Sequence, residues 1–316
     1  MEPSLSWIAK ATGAKQVERG ERIQALWGGY GEIFRVHLTG ADDKTAIVKW
    51  VSPPARPPRS ESAVSHARKC RSYEAEEHFY RALAPLCDER SRVARLWASH
   101  ASRGESFFLV EDLDAAGFPG RRRHPTPEDT DRCLAWLAAF HARFLGVRPQ
   151  GLWTTGTYWH LATRGEELRA IEDAELRAAA PVLDRRLSGC RHQTIVHGDA
   201  KPENFCFSTT EERVAAVDFQ YAGGGCGMKD VAYLLADGGP ESVELARVDT
   251  YFGQLRTRLA ERPSPVDASA VEAEWRSLYP LARADYFRFL AGWAKGAWAR
   301  DAYGQSVTRE AVRALG

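Results

Sequence analysis

Three oxygen-bearing side chains in two short segments have the types and spacing of a site for a hard cation. Asp199 and Asn204 lie five residues apart in HGDAKPEN, residues 197–204, and Asp218 follows in VAAVDFQ, residues 214–220. Mg²⁺ takes oxygen ligands and usually completes its coordination with water and substrate phosphates. Phosphoryl transfer requires a carboxylate that orients the attacking hydroxyl and oxygen ligands that hold the metal. The alternative is that Asp199 and Asn204 serve only as turn and capping residues, which both types favour.

A second set of residues, in the first 115 positions, could bind the phosphates and the base of a nucleotide. Phosphates need a close approach of the backbone, which glycine permits, and three glycines stand at the tip of a predicted hairpin. They are Gly28, Gly29 and Gly31. Lys49 on the next strand could reach the α- and β-phosphates, and Glu76 on the following helix could hold that lysine. The carbonyl of Glu111 and the N–H of Leu113, in LVEDL, could hydrogen-bond an adenine ring.

Each of these features is common by itself. Glycine-rich hairpins and exposed strand lysines occur in many proteins that bind no phosphate. A nucleotide site is favoured because the glycine cluster, the lysine, the glutamate, the acidic connector and the polar loop occur in one order with compatible spacing.

The segments that carry the nucleotide-binding candidates have the patterns of regular elements. Residues 26–40, LWGGYGEIFRVHLTG, alternate around the glycines and predict a hairpin, and 45–51, TAIVKWV, is a β-branched strand. The Pro-, Ser- and Arg-rich segment 52–69 predicts a loop, and 72–86 has the apolar spacing of a helix. RVARLWASHA and SFFLVEDL predict two further strands.

From about residue 126 the pattern becomes mainly helical. Residues 126–146 begin with Thr-Pro and acidic side chains, and their apolar positions follow a helical period up to a glycine. Residues 272–301 are also helical and are rich in Trp and Tyr. The polar loop HGDAKPEN lies between the apolar runs 195–196 and 205–207, which indicates a loop mounted on two strands.

This order of elements predicts an α+β chain with two lobes. A small β-rich N-terminal lobe, with the acidic connector at its end, is expected over residues 1–115. A larger helical C-terminal lobe is expected over residues 116–316, and the length of 316 residues allows a sizeable buried core.

Composition excludes several classes of partner. The formal net charge of +1 gives no reason to expect nucleic acid or an anionic membrane as a partner. The three arginines 121–123 are most simply a solvated loop.

Six cysteines occur without a CxxC pair, which argues against a thiolate metal site. No signal-peptide pattern and no apolar run of about 18 residues is found, so a cytoplasmic location without a membrane span is expected.

HGDAKPEN followed by DFQ resembles the kinase-fold catalytic loop H-x-D-x-x-x-x-N and the metal-binding D-F-G. The chain is similar to the small-molecule branch of that fold: aminoglycoside phosphotransferases, choline kinases and especially the ecdysteroid-kinase-like (CHK-like) family. The resemblance extends from about residue 25 to residue 237, and the last 80 residues share only a helical, aromatic-rich character. The segments that carry it are YEAEEHFYRALAP, LVEDL with AAGF, LAAFHARF, HGDAKPEN, VDFQ and KDVAYLL.

The resemblance implies a bilobal protein-kinase-like fold and an enzyme that uses ATP and Mg²⁺. It implies that Asp199 is the catalytic base or hydroxyl-orienting residue, and that Asn204 and Asp218 are the Mg²⁺ ligands. Lys49 and Glu76 would form the ion pair that positions the nucleotide.

The resemblance also implies supporting roles for two residues close to the catalytic loop. Asp230, in KDVAYLL, would brace the backbone of the catalytic loop, and His197 would likewise hold its geometry. Neither residue is expected to be catalytic.

Lys201 departs from the small-molecule family, which often has an aromatic residue two positions after the catalytic Asp. Lysine at this position is typical of protein kinases, where it contacts the γ-phosphate, and the alternative is an exposed loop lysine. Only 11 residues separate Asp218 from Asp230, which leaves no room for a long activation loop. The GPE at 239–241 follows Asp230, in the wrong order for a protein kinase.

The leading interpretation is a kinase that phosphorylates a hydroxyl of a small-molecule acceptor. Candidates for the acceptor site, for each of which core packing is the alternative, are Trp153, Tyr158, Trp159, Asp285, Tyr286, Trp293 and Trp298. An uncharged or amphipathic alcohol fits the near-zero net charge better than the polycation that an aminoglycoside kinase takes. The other interpretations are a catalytically silent nucleotide-binding module, an aminoglycoside-type antibiotic kinase and an enzyme that transfers AMP. The oligomeric state has no sequence signal.

Overall fold

The computed structural model describes residues 5–58, 61–102, 104–210, 212–236 and 239–315. Contacts divide the chain into two compact units. The first unit consists of Met1–Arg122 and Cys206–Val217, and the second consists of Arg123–Phe205 and Asp218–Gly316. The predicted lobes, 1–115 and 116–316, differ from these units because residues 116–122 and 206–217 group with the N-terminal unit.

A five-stranded antiparallel sheet forms the centre of the first unit in the described part of the chain, with the strand order β1-β2-β3-β5-β4. The strands are β1 (Gln16–Ala25), β2 (Gly31–Thr39), β3 (Thr45–Val51), β4 (Leu96–Ser102) and β5 (Glu105–Glu111). Helix α1, Leu5–Thr12, buries Ile8 in a cluster with Val36, Val48 and Leu109 of the sheet. The sheet confirms the β-rich N-terminal part of the prediction.

Helix α2, Ala63–His78, begins earlier than the sequence pattern predicts. Segment 52–69 was expected to be a loop, but its last seven residues form the first two turns of α2. The reason is a local cap: the Ser62 side chain accepts a hydrogen bond from the Ser65 amide at 3.2 Å, which satisfies a free helix N–H. Residues 59 and 60 of the predicted loop lie outside the described residues. A π-helical turn, Phe79–Leu83, follows the helix.

Helices make up most of the second unit. They are α3 (Pro127–Phe144), α4 (Gly165–Ala170), α5 (Ala174–Ser188), α6 (Met228–Leu234), α7 (Glu241–Ala260), α8 (Ala268–Trp293), α9 (Lys295–Arg300) and α10 (Ala302–Arg313). Helix α3 begins as predicted, with a reciprocal capping box between Thr126 and Asp129. The 26-residue α8 packs against α5, α6 and α10 and forms the centre of the helical layer.

Short strands flank the polar loop that the sequence singled out. Strand β7, Thr194–Val196, precedes the loop and pairs antiparallel with β10, Gly223–Gly225. Strand β8, Phe205–Phe207, follows it and lies between β6, Gly120–Arg121, and β9, Val214–Ala216. The predicted α+β class is therefore confirmed. No helix among the described residues is long and apolar enough to cross a membrane.

Candidate active site

A buried ion pair joins β3 to α2. Lys49 Nζ lies 2.6 Å from Glu76 Oε2, and both side chains are largely shielded from water. The sheet face that carries Lys49 also buries Val51, which packs with Tyr73 of α2 and Phe108 of β5. Packing of α2 on this face places the glutamate, one helical turn after Tyr73, beside the lysine.

The glycine cluster forms the turn between β1 and β2. Gly28, Gly29 and Gly31 have φ angles of 72°, 76° and 133°, in the region that favours glycine. The Leu26 amide donates to the Gly31 carbonyl at 2.8 Å and closes the turn. A Cβ at Gly31 would overlap the Trp50 carbonyl, so only glycine fits against β3 here. The backbone of Gly28 and Gly29 is exposed in this turn.

The connector LVEDL leaves the end of β5. The Glu111 carboxylate accepts two hydrogen bonds from Arg92 Nη2, at 2.6 and 2.7 Å, and is therefore engaged within the same unit. Leu113 is buried, and its carbonyl accepts from the Phe118 amide at 2.8 Å. Within the described ranges the Leu113 N–H donates to no protein acceptor, which leaves it available to a ligand.

The polar loop after β7 holds three of the predicted residues together. Asn204 Nδ2 donates to Asp199 at two points, to the backbone oxygen at 2.8 Å and to Oδ2 at 3.0 Å. Lys201 Nζ lies 3.2 Å from the same carboxylate oxygen. Because the Asn204 nitrogen is turned to Asp199, its amide oxygen remains for another partner.

Asp230 holds the backbone at the start of this loop, as expected from the sequence. Its carboxylate accepts from the amides of His197, at 2.6 Å, and Gly198, at 2.9 Å. His141 Nε2 lies 3.1 Å from the same carboxylate, and its Nδ1 lies 2.8 Å from the Tyr251 hydroxyl. All these groups are buried, and burial raises the pKa of Tyr251 well above its ordinary value. The chain of hydrogen bonds runs from α7 through α3 and α6 to the loop.

Aromatic side chains pack around the residue that follows Asp218 and hold this segment in position. Phe219, which follows Asp218, is fully buried and lies 4.6 Å from the His197 ring and 6.3 Å from the Trp136 ring, centroid to centroid. The His197 Nδ1 also accepts from the Asp199 amide at 3.3 Å. His197 therefore holds loop geometry, as expected. Asp218 itself has a φ of 69°, uncommon for a residue with a side chain.

Burial controls the protonation of the loop carboxylate. Asp199 is 6% exposed. Burial raises its pKa and the Asp218 carboxylate raises it further, while Lys201 and Asn204 oppose the rise, so that the pKa of Asp199 is about 7. Burial opposes the charge of Lys201, but the carboxylates of Asp199 and Asp218 raise the pKa of the lysine. The Asp218 carboxylate therefore acts electrostatically on both members of the Asp199–Lys201 pair.

The acceptor candidates divide into surface and interior residues. Trp159 and Asp285 are both 0% exposed, and the Trp159 indole donates to the Asp285 carboxylate at 2.9 Å. Tyr286 is half-buried and packs edge-to-face with Trp159, with ring centroids 5.2 Å apart. Trp293 is 57% exposed, and its ring lies 6.2 Å from that of Tyr158.

The other two predicted aromatic residues lie apart from the interior pair. Trp153 stacks on Tyr221 at 6.1 Å and donates its indole N–H to the Gln220 carbonyl at 2.7 Å, directly after the Asp218 segment. Trp298 packs at 6.3 Å on Phe287 of α8.

Two tyrosines near the loop carboxylate were missed by the sequence reasoning. Burial raises the pKa of Tyr233, and the charge of Asp199 raises it further. Burial also raises the pKa of Tyr158, with a smaller contribution from Asp199, and the Tyr221 ring lies 5.4 Å from that of Tyr158. A signal was present for both residues, since Tyr221 comes three positions after Asp218 and Tyr233 one helical turn after Asp230.

A family model described as the phosphotransferase enzyme family (APH) matches residues 23–263 of the sequence. The chain belongs to this family. The match covers both the ion pair of the first unit and the loop carboxylates of the second. Family membership supports a small-molecule phosphotransferase as the class of enzyme. No curated protein matches the sequence significantly.

Solved structures show the same fold at low sequence identity. A thermostable mutant of aminoglycoside phosphotransferase APH(4)-Ia, in a ternary complex with AMP-PNP and hygromycin B, is 13% identical, with a TM-score of 0.53 and coverage of 98% of this chain and 97% of that one. A microcompartment-associated aminopropanol kinase is 14% identical, with a TM-score of 0.50 and coverage of 99% and 94%. The predicted kinase-like fold is therefore confirmed.

The donor set of the loop fits Mg²⁺. The candidate ligands are one carboxylate, Asp218, and one amide oxygen, Asn204, both hard oxygen donors. Within the described ranges, no group of three or more His, Cys, Asp or Glu side chains gathers as a metal site. Mg²⁺ needs no such group, because it keeps water and phosphate oxygens in its shell.

Proposed function

We propose that the protein is an ATP- and Mg²⁺-dependent kinase that transfers the γ-phosphate to a hydroxyl of a small molecule. The observation that carries this proposal is the buried Asp199 carboxylate, held by Asn204 and Lys201 on a loop whose backbone Asp230 anchors. A buried carboxylate on a rigid loop can orient one hydroxyl, and positioning supplies much of the catalysis in phosphoryl transfer.

In this proposal Asp199 accepts the proton of the acceptor hydroxyl while the hydroxyl oxygen bonds to the γ-phosphorus and the bond to ADP breaks. A pKa of about 7 suits a group that accepts a proton near neutral pH. Lys201, next to the same carboxylate, contacts the γ-phosphate. Asn204 and Asp218 hold Mg²⁺, which neutralises charge on the phosphates when bound.

The first unit binds the nucleotide in this proposal. The Lys49 ammonium, oriented by Glu76, contacts the α- and β-phosphates, and the glycine turn approaches them with its backbone. These turn residues are Gly28, Gly29 and Gly31. The carbonyl of Glu111 and the N–H of Leu113 bind the adenine ring, which selects ATP over nucleotides with other base edges.

For the acceptor we propose an uncharged or amphipathic alcohol with a flat apolar surface. Aromatic side chains stand close to the loop: the Tyr158 amide donates to the Gly198 carbonyl at 2.7 Å, and the half-buried Tyr221 ring lies 5.4 Å from that of Tyr158. The formal net charge of +1 gives no support for a polycation such as an aminoglycoside. Tyr286, Trp153 and Trp293 remain candidates for direct contact. Trp159 and Asp285 are not candidates for direct contact, because both are fully buried and a ligand cannot reach them.

The test is ADP release from MgATP with a panel of sterol-like, choline-like, sugar and aminoglycoside alcohols. The proposal is supported if ADP release depends on one acceptor class and is strongly reduced in Asp199→Asn. That variant should still bind MgATP. Asp218→Ala is expected to abolish metal-dependent nucleotide binding. Asp249→Asn, at an exposed surface pair, is the matched control and should keep full activity.

Normal turnover of Asp199→Asn would remove Asp199 as the base, and full activity of Asp218→Ala would refute the metal assignment. If no acceptor gives release while ATP still raises the melting temperature, the catalytically silent nucleotide-binding module becomes the better interpretation. Labelled AMP on the acceptor instead of phosphate would identify AMP transfer.

A further inference from the structure

A second lysine of α2 lies beside the glycine turn. A carbon placed at the Cβ position of Gly28 would be 3.1 Å from Lys69 Nζ, so the ammonium lies beside the turn. Lys69 precedes Glu76 by seven residues, which is two helical turns, and therefore lies on the same face of α2 as the partner of Lys49. The same helix thus brings one side chain to the strand lysine and another to the turn.

The surroundings of Lys69 hold its ammonium in place and leave it accessible. Glu61 lies 3.0 Å from Lys69 Nζ, and the ring of Tyr30 lies 4.8 Å below it. The Lys69 side chain is 23% exposed, whereas the Glu61 side chain is 8% exposed. An ammonium has three N–H donors, so one carboxylate does not exhaust them.

A purely structural role for Lys69 is already filled by other groups. The Tyr30 hydroxyl, at the end of the turn, donates to Glu61 Oε2 at 3.1 Å and also contacts His66 Nδ1 of α2. The Ser65 hydroxyl donates to Glu61 Oε1 at 2.6 Å. These contacts join the turn to the start of α2 without the lysine, so they do not explain a partly exposed positive charge at the turn.

We propose that Lys69 is a second phosphate-binding cation, which contacts the polyphosphate of the nucleotide at the glycine turn in addition to Lys49. The inference rests on the proposed function, because it assigns the turn to nucleotide phosphates. Glu61 holds the ammonium in the absence of phosphate and shares it when phosphate binds. Lysine suits this role, since its flexible stem lets a point charge follow a phosphate oxygen.

The test measures the binding of adenosine, MgADP and MgATP to the full chain by calorimetry. Lys69→Met is expected to weaken MgADP and MgATP binding about tenfold, the loss typical of one hydrogen bond to a charged group, and to leave adenosine binding unchanged. Lys69→Arg should keep most of the affinity. Arg71→Met, which removes one positive charge from a more exposed position of α2, is the control and should bind all three ligands normally.

Glu61→Gln distinguishes a phosphate-binding role of Lys69 from a structural one, because the two roles predict opposite changes in MgATP affinity. If Lys69 binds phosphate, neutralising its competitor should tighten MgATP binding a few-fold. If Lys69 only braces the turn, Glu61→Gln and Lys69→Met should both weaken adenosine and MgATP alike, and that result would overturn the inference. Unchanged binding in Lys69→Met would overturn it too. Failure of the wild-type chain to bind any of the three ligands would instead refute the nucleotide-binding function itself.

Discussion

The glycine turn before β2 and the polar loop after β7 both present polar groups, but their surroundings differ. Backbone hydrogen bonds and the hydrogen bond from the Tyr30 hydroxyl to Glu61 hold the turn. The segment after β7 is held by the fully buried Asp230 and His141.

The two regions also differ in whether they can accommodate an added side chain. At the turn, a carbon added at Gly29 would meet no described atom within 4 Å beyond its own chain neighbours. At Gly198, an added carbon would overlap the Tyr221 carbonyl. We infer that the turn can adjust its shape, whereas the polar loop HGDAKPEN is rigid. This division suits a reaction in which orientation of the hydroxyl matters most.

The largest effect is expected for Asp230→Ala, which should lower the free energy of unfolding by about 5 kcal/mol. It leaves the buried amides of His197 and Gly198 and the His141 ring without their acceptor, at roughly 1–3 kcal/mol each. Urea unfolding measures this loss, and Asp249→Asn should change stability by less than about 1 kcal/mol. A loss as small as that of the control would show that the loop does not depend on Asp230.

Gly198→Ala should follow, with a loss of about 4 kcal/mol, while Gly29→Ala should lose only about 1–2 kcal/mol. Both glycines have positive φ, 81° and 76°, so both substitutions carry the left-handed strain. Only Gly198 adds a backbone clash, which costs a further 1–3 kcal/mol or so. Thermal or urea unfolding compares the two variants directly. Equal losses would contradict the proposed difference in rigidity.

Lys49→Met should cost about 3 kcal/mol, because it leaves the Glu76 carboxylate buried without its cation. The double variant Lys49→Met with Glu76→Leu should regain most of this stability, since an apolar pair needs no charge compensation. Turnover should stay at least about 100-fold below wild type in both variants. Recovery of turnover in the double variant would show that the ion pair only stabilises the fold.

The smallest effect is a pH dependence at Asp112, within the connector LVEDL. Burial opposes its ionisation, but hydrogen bonds from Arg35, the shorter at 2.6 Å, lower the pKa of Asp112 below its ordinary value. A lowered folded-state pKa stabilises the fold above the unfolded value of about 4 and loses that contribution as the pH falls. The stability advantage of wild type over Asp112→Asn, on the order of 1 kcal/mol, should be constant from pH 6 to 8. It should shrink below about pH 4, and melting temperatures across that range measure it.

Some parts of the fold and the site were predictable because they depend on local pattern. The strand with Lys49, helix α3 with its Thr126 cap, and the polar loop between two apolar strands all follow from residue spacing along the chain. The first turns of α2 were missed, because a Pro- and Ser-rich segment hides a capping serine. Lys69 was consequently assigned to a loop.

The sequence by itself determined the types and order of the reactive groups, since a carboxylate or an ammonium keeps its chemistry wherever the chain places it. Only the tertiary structure decided their neighbours. It brought Asp230 to the amides of His197 and Gly198, set Lys69 against Gly28, and enclosed Trp159 while leaving Trp293 exposed. The physical reason is that burial and pairing depend on how elements distant in sequence pack together, and no local pattern contains that information.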